Sequence, residues 1–168
     1  MRDPAAVSEL ATLTVRTCTD RGLTLAVAES LTAGLLGASV ASAPGASLMF
    51  RGGVIAYATE VKVEVLGVPE SVVSGPGVVS AECAEAMAAG VRRLLGSDWG
   101  LATTGVAGPE LQEGKPVGTV FLGYAGPDGA GAVELGLTGD RGRIRTVACD
   151  RALACLLQRL GVDTGPTQ

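Results

Sequence analysis

The order of segments predicts an α/β fold: a mixed sheet of five strands covered by helices on both faces. Short runs rich in Val, Ala and Leu alternate with longer stretches whose apolar residues recur at helical spacing. The last two strand-like runs are separated only by Pro127-Asp128-Gly129, which reads as a hairpin turn. The composition is 47% hydrophobic with one Trp, two Tyr and two Phe, so Ala, Val, Leu and Gly must build the core. Such a core suits helices packed closely on a Val-rich sheet.

Asp3 and Pro4 read as the N-cap and first residue of a helix running to about Arg21, where Gly22 stops it. The first strand is expected over residues 24–28, followed by a helix over 31–42 that Ala43-Pro44-Gly45 ends. Residues 47–50 suggest a short helical turn or loop, 53–58 a second strand, and 60–66 a short helix capped by Thr59. After the loop Ser74-Gly75-Pro76-Gly77, Ser80 caps a long helix to about Leu95, with Ala84, Met87, Ala88, Val91 and Leu94 on one face. Strands follow at 99–104, 117–125 and 132–137, with a polar, mobile segment expected at 110–115. Asp140 caps a last helix to about Leu160, and Gly161 leads to a short tail expected to be disordered. There is no repeat or linker, and 168 residues suit one domain.

Composition excludes several function classes. The chain has no histidine, which removes Ser-His-Asp and Cys-His catalysis and every His-containing metal site. Cys18, Cys83, Cys149 and Cys155 form no C-x-x-C pair and sit in helical patterns, as buried free thiols do. The net charge of −4 gives no general basic field for nucleic acid. No apolar run reaches the roughly 18 residues of a membrane span, and the start carries no signal-peptide core, so the cytoplasm is the expected location.

In open α/β sheets the working residues gather beyond the C-terminal ends of parallel strands. The first three strands end at Glu29-Ser30, at Tyr57 and at Thr104-Gly105. Ser30 stands where a strand hands over to a helix, and two readings are open: a helix cap, or a nucleophile beside free N–H groups. Lys62 is expected in the first turn of the 60–66 helix, where partial burial and the helix dipole would both lower its pKa and a neutral lysine can deprotonate serine; the alternative is a solvated lysine paired with Glu60 or Glu64. Tyr57 is a candidate to relay the proton or to steady the lysine. Neither the G-x-x-x-x-G-K loop nor G-x-G-x-x-G is present, although Thr104 to Gly108 forms a turn able to offer N–H groups to an anion. Arg141, Arg143 and Arg145 crowd the start of the last helix, either to bind an anion or as solvated or ion-paired arginines.

Taken together, Ala28-Glu29-Ser30-Leu31-Thr32-Ala33-Gly34, Tyr57 with Lys62, Thr104-Gly105-Val106-Ala107-Gly108-Pro109, Lys115-Pro116-Val117-Gly118-Thr119-Val120 and Gly139-Asp140-Arg141 resemble the CinA C-terminal-domain family, in order over roughly residues 5–160. The resemblance implies a three-layer α/β/α sandwich with a mixed, mostly parallel five-stranded sheet. It implies hydrolysis of nicotinamide mononucleotide to nicotinic acid mononucleotide and ammonia, without metal or cofactor, through a trio mapping to Ser30, Tyr57 and Lys62. Thr32, Gly34, Ser47, Thr104, Gly105 and Arg145 are the expected substrate-binding residues. Leu31 stands where many relatives have Cys, and Ala33, where many have Gly, is expected to narrow the pocket floor. Some relatives carry a further N-terminal domain linked to pyrophosphatase activity, which a chain of this length is not expected to include.

Two rival readings accompany this one: a non-catalytic nucleotide-binding or regulatory module linked to competence and DNA damage, and a serine hydrolase for another small amide. The expected partner is a small molecule, with no nucleic acid or membrane, and the apolar chain is expected to self-associate at least as a dimer.

Overall fold

The computed structural model describes residues 8–165. Its elements run α1 (Glu9–Asp20), β1 (Leu25–Glu29), α2 (Leu35–Ser42), a 3-10 turn (Ala46–Leu48), β2 (Phe50–Ile55), α3 (Thr59–Glu64), α4 (Glu70–Ser74), α5 (Ala81–Leu95), β3 (Trp99–Gly105), β4 (Thr119–Gly126), β5 (Gly129–Gly136) and α6 (Arg141–Arg159). The strands form one sheet in the order β2-β1-β3-β4-β5. β1 pairs in parallel with β2 and β3, while β4 runs antiparallel to both β3 and β5. Four strands therefore point one way and β4 the other.

Alternation along β1 divides the core. Leu25 and Val27 face a cluster with Ala11, Leu36, Ile144 and Leu153 from α1, α2 and α6. Ala26 and Ala28 face Ala84, Met87 and Val91 of α5. This is the expected three-layer α/β/α sandwich with a mixed, mostly parallel sheet. The alanine-rich side reflects how closely α5 lies on the sheet: a Cβ at Gly100 or Gly123 would run into the carbonyl of Ala88 or Ala84.

Side-chain caps fix the starts of α1, α5 and α6, whereas α3 begins at Thr59 with Ala58 as its N-cap and no side-chain cap bond, contrary to the cap expected from Thr59. Ser80 accepts the Cys83 N–H to cap α5, and Asp140 accepts that of Arg143 to cap α6, both as expected. The cap expected at Asp3 lies outside the described residues, where residues 166–168 of the tail also lie; Ser8 is the N-cap of α1 as described. β2 runs from Phe50 to Ile55, starting three residues before the expected 53 and stopping short of 58; it continues past an irregularity in register between Phe50 and Gly52, where Gly52 holds φ +125°. The short α4 was not expected. Among the described residues no helix is long and apolar enough to cross a membrane, and all four cysteines are buried and free.

Candidate active site

The strand order makes β2, β1 and β3 neighbours, so Tyr57, Ser30 and Thr104 meet at one sheet edge. They line a cavity of about 150 Å³ together with Lys62 and Arg141. The period of α3 places Lys62 inward, four residues before the buried Leu66. The side chain of Lys62 is 1% exposed, which excludes the solvated alternative. Its Nζ lies 3.0 Å from Ser30 Oγ, 2.7 Å from the Ala56 carbonyl and 3.2 Å from the Tyr57 carbonyl. None of these partners is a carboxylate. Burial lowers the Lys62 pKa, while Cys83 and Glu113 pull it partly back. Nζ donates to all three oxygens, and loss of one proton, which burial favours, leaves two N–H bonds to the carbonyls and a lone pair toward the serine hydroxyl.

Ser30 does not cap a helix. The buried carboxylate of Glu29 takes that role, accepting the N–H groups of Gly34 and Leu36 at 3.0 Å and of Gly37 at 2.8 Å. The helix consequently starts at Leu35 and not at residue 31. Residues 30–34 form a turn in which Ala33 donates to the Ser30 carbonyl, and the Ser30 N–H is committed to Thr103 O at 2.9 Å. The N–H groups of Leu31 and Thr32 make no backbone bond among the described residues.

The remaining expected residues divide sharply. Tyr57 lines the cavity, but its hydroxyl is bonded to neither Ser30 nor Lys62. The phenol is largely exposed and accepts from Arg141 at 3.2 Å, so only the main chain of Tyr57 steadies the lysine. Thr104 and Gly105 line the cavity as expected, with the Thr104 hydroxyl proton given to Val78 O. Thr32, Gly34, Ser47 and Arg145 do not line it. The Thr32 hydroxyl is buried against that of Thr103 at 2.7 Å. Gly34 supplies the left-handed N-cap of α2. Arg145 bonds the carbonyls of Leu31 and Thr32 and so braces the turn behind Ser30. Ser47 is exposed just ahead of β2, whose first residue pairs with Leu25, and therefore sits at the opposite end of the sheet. Ala33 is exposed with φ +47° and does not form the pocket floor. Its left-handed backbone is one that glycine adopts without strain.

Three contributions were not expected. Glu29 reads in sequence as the end of a strand, with nothing nearby to announce a cap. Arg141, named in an arginine cluster and in the Gly139-Asp140-Arg141 block but given no role at the cavity, bridges Gly108 O and Tyr57 OH at the cavity mouth. Glu113 pins the 110–115 segment to Val78 and Val79, where mobility was expected.

Residues 7–160 match the CinA C-terminal domain. The chain belongs to the CinA C-terminal-domain family. The CinA-like protein of Frankia casuarinae is 58% identical over 133 residues, covering 79% of this chain and 31% of that protein. The CinA-like protein of a Synechocystis strain is 50% identical over 145 residues, covering 84% and 35%. The chain thus spans about a third of the length of these curated relatives. Among solved structures, a CinA superfamily protein of Klebsiella pneumoniae superposes with a TM-score of 0.88 at 32% identity, covering 91% of this chain and 96% of that one. The competence/damage-inducible protein of Agrobacterium tumefaciens gives 0.87 at 29% identity, covering 94% and 97%.

Proposed function

We propose that this CinA domain is an amidohydrolase that converts nicotinamide mononucleotide to nicotinic acid mononucleotide and ammonia. The observation that carries the reading is the 3.0 Å approach of a fully buried lysine nitrogen to the Ser30 hydroxyl, in a chain without histidine. Ser-Lys pairs are an established alternative to Ser-His in acyl transfer.

Neutral Lys62 takes the proton of Ser30 Oγ as the oxygen attacks the carboxamide carbon. The oxyanion is held by the N–H of Leu31, which lines the cavity and makes no backbone bond, such a donor being worth about 3–4 kcal/mol to the transition state. Protonated Lys62 returns its proton to the leaving nitrogen, the C–N bond breaks and ammonia departs. Lys62 then deprotonates water, which cleaves the acyl-serine ester and regenerates Ser30.

A cavity of about 150 Å³ is well below the roughly 300–1,000 Å³ of pockets that enclose a drug-sized ligand. It suits one flat carboxamide ring, with the ribose phosphate left at the mouth. There Arg141 replaces Arg145 as the cation for the phosphate, and Tyr57 offers its ring to the substrate. No metal or cofactor takes part in these steps.

Ammonia release from nicotinamide mononucleotide by the wild type and by Ser30→Ala tests the reading. Turnover that vanishes with the hydroxyl supports it. Binding of the nucleotide without ammonia release points instead to a non-catalytic nucleotide module. Turnover confined to a different amide redirects the substrate assignment.

A further inference from the structure

Two walls of the cavity come from distant parts of the chain. One is the turn at Val78 and Val79 ahead of α5. The other is a strap between β3 and β4, from which Gly108, Glu110 and Gln112 line the cavity. Glu113 joins them: its Oε1 accepts the Val78 N–H at 3.0 Å and its Oε2 the Val79 N–H at 2.9 Å. Val78 is also gripped from behind, because its carbonyl accepts the Thr104 hydroxyl at 2.7 Å. A line of bonds therefore runs from the end of β3 through Val78 to the strap.

The place is shaped for this carboxylate. Gly77 has φ +90°, and a Cβ there would stand 2.5–2.9 Å from the carboxylate atoms of Glu113. Glu113 itself holds φ +51°. A long side chain keeps such a left-handed backbone only where its surroundings dictate it, and such residues gather at ligand clamps.

We propose that Glu113 is a positioning residue whose carboxylate fastens the strap to the Val78–Val79 turn, so that this closure sets how tightly substrate is held. Glu113 does not touch the reacting bond. The substrate half of the inference rests on the amidase reading; the fastening does not.

The test uses the full chain with Glu113→Ala and the milder Glu113→Gln, which keeps one acceptor oxygen. Without ligand, hydrogen exchange at the Val78 and Val79 amides accelerates about tenfold or more in Glu113→Ala and less in Glu113→Gln, while exchange in α5 and β3 is unchanged. In ammonia release from nicotinamide mononucleotide, KM rises about tenfold in Glu113→Ala while kcat changes by less than about threefold. A merely structural role would lower kcat and the melting temperature together and leave KM in place. Unchanged exchange at residues 78 and 79 overturns the fastening whatever the kinetics show. Faster exchange with unchanged KM overturns its role in binding. If the wild type releases no ammonia, calorimetric titration with the nucleotide takes over. Weaker binding by Glu113→Ala then supports its role in holding substrate while the amidase reading fails, and a wild type that does not bind overturns that role and the amidase reading alike, with the fastening decided by the exchange result.

Discussion

Lys62 Nζ lies 3.0 Å from Ser30 Oγ; among the described residues that contact is the Ser30 hydroxyl's only hydrogen bond, while Nζ also donates to the carbonyls of Ala56 and Tyr57. The hydroxyl is thus free of structural duty. Ser30→Ala is expected to abolish ammonia release while lowering unfolding free energy by well under the roughly 1 kcal/mol of a lost helix cap. Chemical denaturation alongside the assay checks both halves; a loss of cap size would show that Ser30 holds the turn together.

The burial of Lys62 fixes the direction of the pH response. Its pKa is lowered from 10.5 chiefly by desolvation, and the proposed mechanism needs the neutral amine. kcat/KM should therefore rise with pH along a single-proton limb whose midpoint lies below 10.5. Stability follows the same direction. A depressed folded-state pKa leaves the folded form unpenalised above 10.5, and stability is lost as pH falls through the folded value. Lys62→Met, which carries no titrating group, should lose all turnover and show a shallower decline of stability on acidification from alkaline pH. Parallel decline in the two proteins would contradict this account.

Glu29 holds three N–H groups at the start of α2 and is 1% exposed. Glu29→Ala strands all three donors and should cost about 3 kcal/mol, the scale of lost bonds to a buried charged acceptor. Because the same carboxylate orders the turn that carries Ser30, kcat should fall in molecules that remain folded. Denaturation and assay below the melting temperature separate the two effects.

Ala33 sits at φ +47°, a conformation that costs a residue with a Cβ about 1–2 kcal/mol. Glycine removes that cost but adds freedom to the unfolded chain, opposing it by about 0.5–1 kcal/mol. Ala33→Gly should raise stability slightly, by up to about 1 kcal/mol, with little change in turnover. A lower melting temperature would count against the assigned strain.

Self-association has a physical basis in the exposed apolar residues. Leu48, Leu111 and Ile55 are 71%, 67% and 55% exposed, and β2 is a sheet edge. Light scattering coupled to gel filtration should give a mass of at least twice 16.7 kDa; a monomer at micromolar concentration would refute the expectation.

What the sequence disclosed follows the range of each signal. Caps at Ser80 and Asp140 were readable because the donor lies three residues away. The start of α2 was not, because its acceptor lies five to eight residues upstream in a strand. Ser30 and Lys62 were readable as partners because strand ends and helical period bring them to one edge. For Tyr57 the position was legible but not which of its groups would face the lysine, a choice made by packing. Ser47 and Arg145 show a different limit: composition marks a polar residue but not the end of the sheet on which it lands. The strap was read as mobile because its polarity gave no hint that one carboxylate would find two N–H groups about 35 residues away.

The Glu29 carboxylate has one more implication. Because the residue before the serine ends the strand and begins the helix, the demands of folding and of chemistry fall on adjacent but separate side chains. Position 30 is therefore open to change without disturbing the scaffold. A thiol there would meet the same lysine and the same Leu31 N–H, so on the proposed reading the domain is a frame in which one nucleophile can be exchanged for another while the residues that shape the turn stay fixed.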